Sequence, residues 1–197
     1  MKSFKHSLNE SSLSRVWKQT LKFDSGTISA FRFATECGDG KPFSKSENKQ
    51  RSSKLKKQLL GLGYGVTKVD GAYIENFGKK NAREVREESY LVVDIKASNK
   101  LKKDLIKLGT EYDQDSITFS PKGNKDYLLI SSNKCPDGYP GSGKIGVELK
   151  LGKPQFGKDG EFHSKVNGRP FVFENVLSTN EVLTDYSIAE IRSIKNI

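Results

Sequence analysis

Both ends of a helix are written into residues 44–63. Ser44-Lys45-Ser46-Glu47 has the spacing of a capping box, in which the serine hydroxyl and the glutamate carboxylate each satisfy an early backbone donor. Phe43, just before the cap, can supply the hydrophobic side of a staple. Leu55, Leu59 and Leu62 give the segment one apolar side, while Gly61 and Gly63 favour termination. These signals predict a helix from Lys45 to about Leu60. The flanking residues have a different period. TISAFRFAT, Thr27 to Thr35, alternates as a strand does, and Tyr64 to Val69 follows as another. Cys37 to Pro42 reads as a loop and Asp70-Gly71 as a turn. A helix bounded by strands cannot bury its apolar stripe alone, so it must lie on a sheet.

The pattern then repeats. YLVVDI, within Ser89 to Ile95, is apolar enough for burial on both faces. A second helix is predicted from about Ser98 to Leu108, with Leu101, Leu105, Ile106 and Leu108 at helical intervals and Gly109 as its stop. A short strand follows at Ser116 to Phe119. This succession predicts an α/β fold: a mixed sheet with two basic flanking helices. Further strands are expected at Tyr127 to Ser131, Lys144 to Leu151, Phe162 to Val166 and Arg169 to Glu174. Asp159-Gly160 and Asn167-Gly168 have hairpin-turn chemistry, so this region reads as a C-terminal antiparallel β-rich extension. A helix over Leu13 to Leu21, carrying Val16 and Trp17, and another over Val182 to Ile194 complete the reading. The expected division is an N-terminal helical segment at 1–26, an α/β core module at 27–123, and the extension with its helix at 124–197. All three pack as one domain, which suits a chain of 197 residues.

Charge shapes the functional expectation. With 34 Lys and Arg against 24 Asp and Glu, the chain carries +10, and such an excess attracts polyanions. Lys45, Lys49, Arg51 and Lys56 on the first helix, with Lys100 and Lys103 on the second, are the candidate polyanion-binding residues. No apolar run is long enough for a membrane span. The basic start at Met1 to His6 is not followed by an apolar stretch, so a secretory signal is not expected. Cys37 and Cys135 have no recognised metal or redox spacing; a disulfide is open to them if both lie near strand ends, but they are read as two free thiols in a reducing compartment.

Catalytic motifs are sparse. The two histidines, His6 and His163, lack a metal-centre context, so neither a metal nor a cofactor is expected. The stretch Gly138 to Lys144 resembles a phosphate loop, but Ile145 stands where Ser or Thr is needed. A better constellation lies in the core module. Asn48 and Arg51 share one side of the first helix. Glu75 lies in YIEN, Glu87 and Glu88 immediately precede the apolar strand, and Gln114 and Asp115 precede the next. Asn48, Arg51, Glu75, Glu88 and Gln114 are the candidate ligand-binding residues, since polar groups at one sheet edge could hold a small polar ligand. Two carboxylates there could act as acid and base.

The segments FRFATECGDGKPFSKSENKQR, LKKQLLGLGYGVTKVDGAYIEN, EESYLVVD and LGTEYDQDSITF resemble a small domain family of bacteria and bacteriophages, itself of unknown function. The matching positions are Asn48, Arg51, Gly63, Tyr64, Glu75, Glu88, Ser89 and Gln114, within residues 27–123. The phage-encoded members are the most similar, chiefly in GYGVTKVDGAYIEN and EESYLVVD. The resemblance implies a phage or mobile-element accessory factor, acting in the bacterial host cytoplasm or carried with the virion. The leading expectation is therefore a protein that binds nucleic acid or an acidic host protein through its basic surface. The alternatives are an enzyme or sensor for a nucleotide-like small molecule, and a structural virion-associated protein.

Overall fold

The computed structural model describes residues 18–35, 37, 39–75, 83–124, 126–136, 143–152, 154–156, 162–166 and 169–173. The elements are β1 (Ser25–Ser29), α1 (Lys45–Gly61), β2 (Gly65–Glu75), β3 (Arg83–Val93), α2 (Leu101–Glu111), β4 (Ser116–Ser120), β5 (Tyr127–Ser131), β6 (Glu148–Gly152), β7 (Pro154–Phe156), β8 (Phe162–Val166) and β9 (Arg169–Phe173). They form one sheet in the order β6-β5-β4-β1-β3-β2-β8-β9-β7. The fold is mixed α/β, but the sheet is not mixed. Every pairing among the described strands is antiparallel.

The reason lies in the crossovers. β1 and β2 both pair antiparallel with β3, so α1 joins two strands that point the same way but never touch. β3 and β4 stand in the same relation about β1, joined through α2. Each helical crossover skips one strand, and the two β-α-β units interlock. Helix–strand alternation in sequence cannot distinguish this from adjacent parallel strands.

Both helices pack on one face. Ile28, Tyr90, Val92, Ile117, Phe119 and Ile130 from the sheet meet Leu55 and Leu59 of α1 and Leu101, Leu105 and Leu108 of α2 in one buried cluster. The opposite face carries a smaller cluster of Tyr127, Leu129 and Leu151, with a lane of hydroxyls beside it. There Ser25 Oγ lies 2.9 Å from the Tyr127 hydroxyl, and Thr27 Oγ1 lies 2.8 Å from Thr118 Oγ1. These contacts satisfy polar groups that would otherwise be costly to bury.

Local chemistry decides where elements begin and end. The capping box forms as the spacing predicts: Glu47 N–H donates to Ser44 Oγ at 3.1 Å, and Ser44 N–H donates to Glu47 Oε2 at 2.7 Å. Phe43 is not a staple; its ring lies under the Arg51 guanidinium, 4.4 Å from centroid to Cζ. Asp70-Gly71 is not a turn. Gly71 continues β2 and pairs with Glu87, where a Cβ would stand 3.1 Å from Ser89 Oγ. Gly109 does not stop α2, which runs two residues further. It is a point of close approach between α2 and the residue after β5: an added Cβ would meet Ser132 Cβ and Oγ at 2.6 Å. The helices expected at 13–21 and 182–194 lie wholly or largely outside the described residues, as do the turns at 159–160 and 167–168.

Gly109→Ala sets two effects against each other. Helix propensity favours alanine by about 1 kcal/mol, whereas overpacking against Ser132 costs about 1–3 kcal/mol. The clash is with packed atoms, so the variant should unfold at lower denaturant concentration than the parent, as urea titration will show. A gain in stability would contradict this account of the contact.

Candidate functional site

β1 ends four positions after it begins, although the alternating pattern continues to Thr35. The next three residues, Ala30, Phe31 and Arg32, hold their backbone groups to side chains rather than to a neighbouring strand. Buried Asn48 of α1 spans both groups of Arg32: its Oδ1 accepts from Arg32 N–H at 3.0 Å, and its Nδ2 donates to Arg32 O at 2.9 Å. Arg51, one turn on, donates from Nε to Ala30 O at 2.8 Å and from Nη2 to Tyr112 O at 2.6 Å. Gln114 Nε2 donates to Phe31 O at 2.8 Å and Tyr112 O at 3.1 Å. Asn48, Arg51 and Gln114 thus converge on one stretch of main chain and on the end of α2.

The Arg32 side chain enters a polar cluster. Its Nη1 lies 2.6 Å from Asp115 Oδ1 and its Nε lies 3.4 Å from Asp113 Oδ2. Asn133 Nδ2 donates to Asp115 Oδ1 at 2.8 Å and to Asp113 Oδ1 at 3.2 Å, tying both carboxylates to the segment after β5. The cysteines are not free thiols: Cys37 and Cys135 are joined by a disulfide. The fold brings the loop after β1 against the segment after β5, a proximity that their separation of 98 residues conceals.

Across from this segment, β3 carries two consecutive glutamates. Ser29 pairs with Ser89, and Ser29 Oγ donates to Glu88 O at 3.0 Å, so the Glu87-Glu88 step abuts the exit of β1. Successive residues of a strand point to opposite faces. Glu88 shares the helix face with Tyr90, whose hydroxyl donates to its Oε1, and Lys68 Nζ lies 2.7 Å from its Oε2. Burial raises the proton affinity of Glu88, but the hydrogen bonds from Lys68 and Tyr90 outweigh it and hold the carboxyl below the usual range. Glu87 behaves oppositely. Burial, opposed by the Ser89 hydroxyl and reinforced by the charge of Asp115, pushes it up to about 7. One carboxylate is held as an anion on the helix face, while its neighbour on the opposite face exchanges a proton near neutrality. Among the described residues no group of three or more His, Cys, Asp and Glu could hold a metal.

The profile of the S-adenosylmethionine lyase family matches residues 27–168, which contain all of these groups. The chain belongs to this family. A comparison with curated proteins returns no match.

Membership of a lyase family overturns the leading functional expectation. A basic accessory protein that binds nucleic acid or an acidic host protein, or a structural virion component, is not what the family describes; the small-molecule alternative fits it better. The charge excess misled because lysines on the outward sides of two helices are a general means of solvating a surface. Lys45, Lys49, Lys56, Lys100 and Lys103 are all exposed in this way. Arg51 points inward and is engaged by carbonyls.

The candidate ligand residues fall into two groups. Asn48, Arg51, Glu88 and Gln114 surround the exit of β1. Glu75 pairs with Arg83 at the far end of the β2–β3 ribbon, five positions beyond the Asp70–Glu88 pair. At about 3.3 Å per residue that is roughly 16 Å away along the strand. Residues not singled out from sequence include Arg32, Lys68, Tyr90, Asp113 and Asn133. The YDQD run held one usable signal, since its two aspartates bracket Gln114; Asp113 adopts the left-handed backbone conformation, with φ of 53°.

Two measurements test this geometry. Asn48→Ala leaves both backbone groups of Arg32 without their partners and should cost about 2–3 kcal/mol in urea unfolding. Glu87 has a folded-state value of about 7 against an ordinary 4.5. The folded state therefore keeps a proton that the unfolded chain releases. This contribution to stability is fully present below pH 4.5 and is lost as pH rises through about 7. Glu87→Gln should remove that component, flattening the fall in melting temperature between about pH 5 and 7.

Proposed function

We propose that this protein is a lyase acting on S-adenosylmethionine, with its site where the exit of β1 meets the Glu87-Glu88 step of β3. The observation that carries the reading is the lyase-family match over the residues that build this juncture. The small-molecule expectation thereby becomes specific, because the substrate is a nucleoside joined to an amino acid through a sulfonium centre.

The chemistry of that substrate fits Glu88. A lyase breaks the carbon–sulfur bond with neither water nor a redox step, and the bonding electron pair goes to sulfur. A cation becomes a neutral thioether. The carbon left electron-poor is satisfied within the same fragment, through its own carboxylate oxygen or by loss of an adjacent proton. Glu88, ionised and with its side chain 36% exposed, offers a fixed negative charge to the substrate's cationic groups. Glu87 lies on the other face of β3 and has no part in that contact; its proton exchange near pH 7 bears on stability. Asn48, Arg51 and Gln114 act as positioning residues through the main chain of Ala30 to Arg32, and the cation of Arg51 stays engaged with carbonyls.

The test is incubation of the purified protein with S-adenosylmethionine, following the adenosine-containing thioether by liquid chromatography. The wild type should convert substrate without added cofactor. Glu88→Gln should retain the fold and lower kcat/KM by roughly a hundredfold, in line with loss of one electrostatic contact to reacting charge. No thioether formation by folded wild-type protein would reject the proposal.

A further inference from the structure

We propose that Cys37–Cys135 is a reversible thiol-exchange site that latches the Ala30–Arg32 segment, and that small thiols attack it at Cys37. The two sulfurs differ in access: Cys37 is exposed, whereas Cys135 is 4% exposed. A guanidinium also stands beside the buried sulfur: Arg32 Nη2 lies 3.5 Å from Cys135 Sγ, with Asp113 Oδ1 3.9 Å from it. Arg32 is paired with Asp113 and Asp115, so it lowers, without cancelling, the cost of releasing a thiolate there. A thiol exchanges faster when the departing sulfur leaves as a stabilised thiolate. Exposure at one sulfur and a cation at the other set a single direction of attack.

The step balances as ordinary exchange. The thiolate of a dithiol reductant forms a bond to Cys37 Sγ, the Cys37–Cys135 bond breaks, and its electron pair goes to Cys135 Sγ beside Arg32. The second thiol of the reductant then displaces Cys37 and leaves as the oxidised cyclic disulfide, so that both cysteines end as thiols.

The consequence is positional. The bond ties the loop after β1 to the segment that carries Asn133, and Asn133 holds the two aspartates that hold Arg32. Arg32 N–H and C=O are the groups gripped by Asn48. Opening the bond frees one side of this clamp. The effect on turnover rests on the lyase reading; the effect on the segment does not.

The experiment therefore reads chemistry and backbone first. Native protein is treated with a monothiol, 2-mercaptoethanol, and the adduct is located by peptide mass mapping; it should be on Cys37. With dithiothreitol, the bond should open in folded protein, and Arg32→Gln should slow opening by roughly tenfold while Arg32→Lys restores much of the rate. Amide exchange at residues 30–33 should then rise while β3 and β4 stay protected. An adduct on Cys135, opening only on global unfolding, or unchanged exchange at 30–33 would each overturn the proposal. Turnover of S-adenosylmethionine, measured in parallel, should fall on reduction. Absence of turnover in both states would reject the lyase reading and leave the thiol-exchange result standing.

Discussion

The structure of this site depends on one amide. Asn48 occupies both backbone hydrogen-bonding groups of Arg32, and by doing so it ends a strand that the side-chain alternation would have continued. Buried main-chain groups must find partners. Once α1 supplies them, Ala30 to Arg32 leave the sheet and their carbonyls become available to Arg51 and Gln114. The Arg32 side chain is then delivered to Asp113, Asp115 and the disulfide. A single helical asparagine thus links the capping-box helix, the termination of β1 and the polar cluster beside β3.

The second organising element is the contrast between consecutive glutamates. They have the same side chain and adjacent positions, yet the alternation of a strand sends them into different surroundings. Lys68 and the Tyr90 hydroxyl favour the ionised form of Glu88, whereas desolvation and Asp115 favour the protonated form of Glu87. A substrate that loses a positive charge during reaction can use the permanent anion, whereas Glu87 faces the other side of the strand. The many lysines on the two helices stand outside this arrangement, which is why net charge was a poor guide to function.

Much of the secondary structure was legible because it depends on local chemistry. Ser44 and Glu47 announce α1, and Tyr127 to Ser131 and Phe162 to Val166 read as strands with the observed limits. What was not legible depends on distant partners. Nothing near Thr27 to Thr35 says that Asn48 will end the strand. Gly71 and Gly109 look like breakers until the atoms that approach them are known. The disulfide and the antiparallel topology come from interlocked crossovers, which an alternating order of helices and strands does not specify. The candidate site was partly visible. Asn48 and Arg51 stood out because they share one side of a helix, and Glu88 and Gln114 because each precedes an apolar stretch, while Glu87, the neighbour of Glu88, acquires its character from burial and from Asp115.

Binding of S-adenosylmethionine where the exit of β1 meets the Glu87-Glu88 step is tested by amide hydrogen exchange with and without an analogue that carries a non-cleavable cationic centre in place of the sulfonium. Ligand-dependent protection should concentrate at residues 29–33 and 87–90. Protection confined to other parts of the sheet, or no protection at saturating analogue, would contradict it.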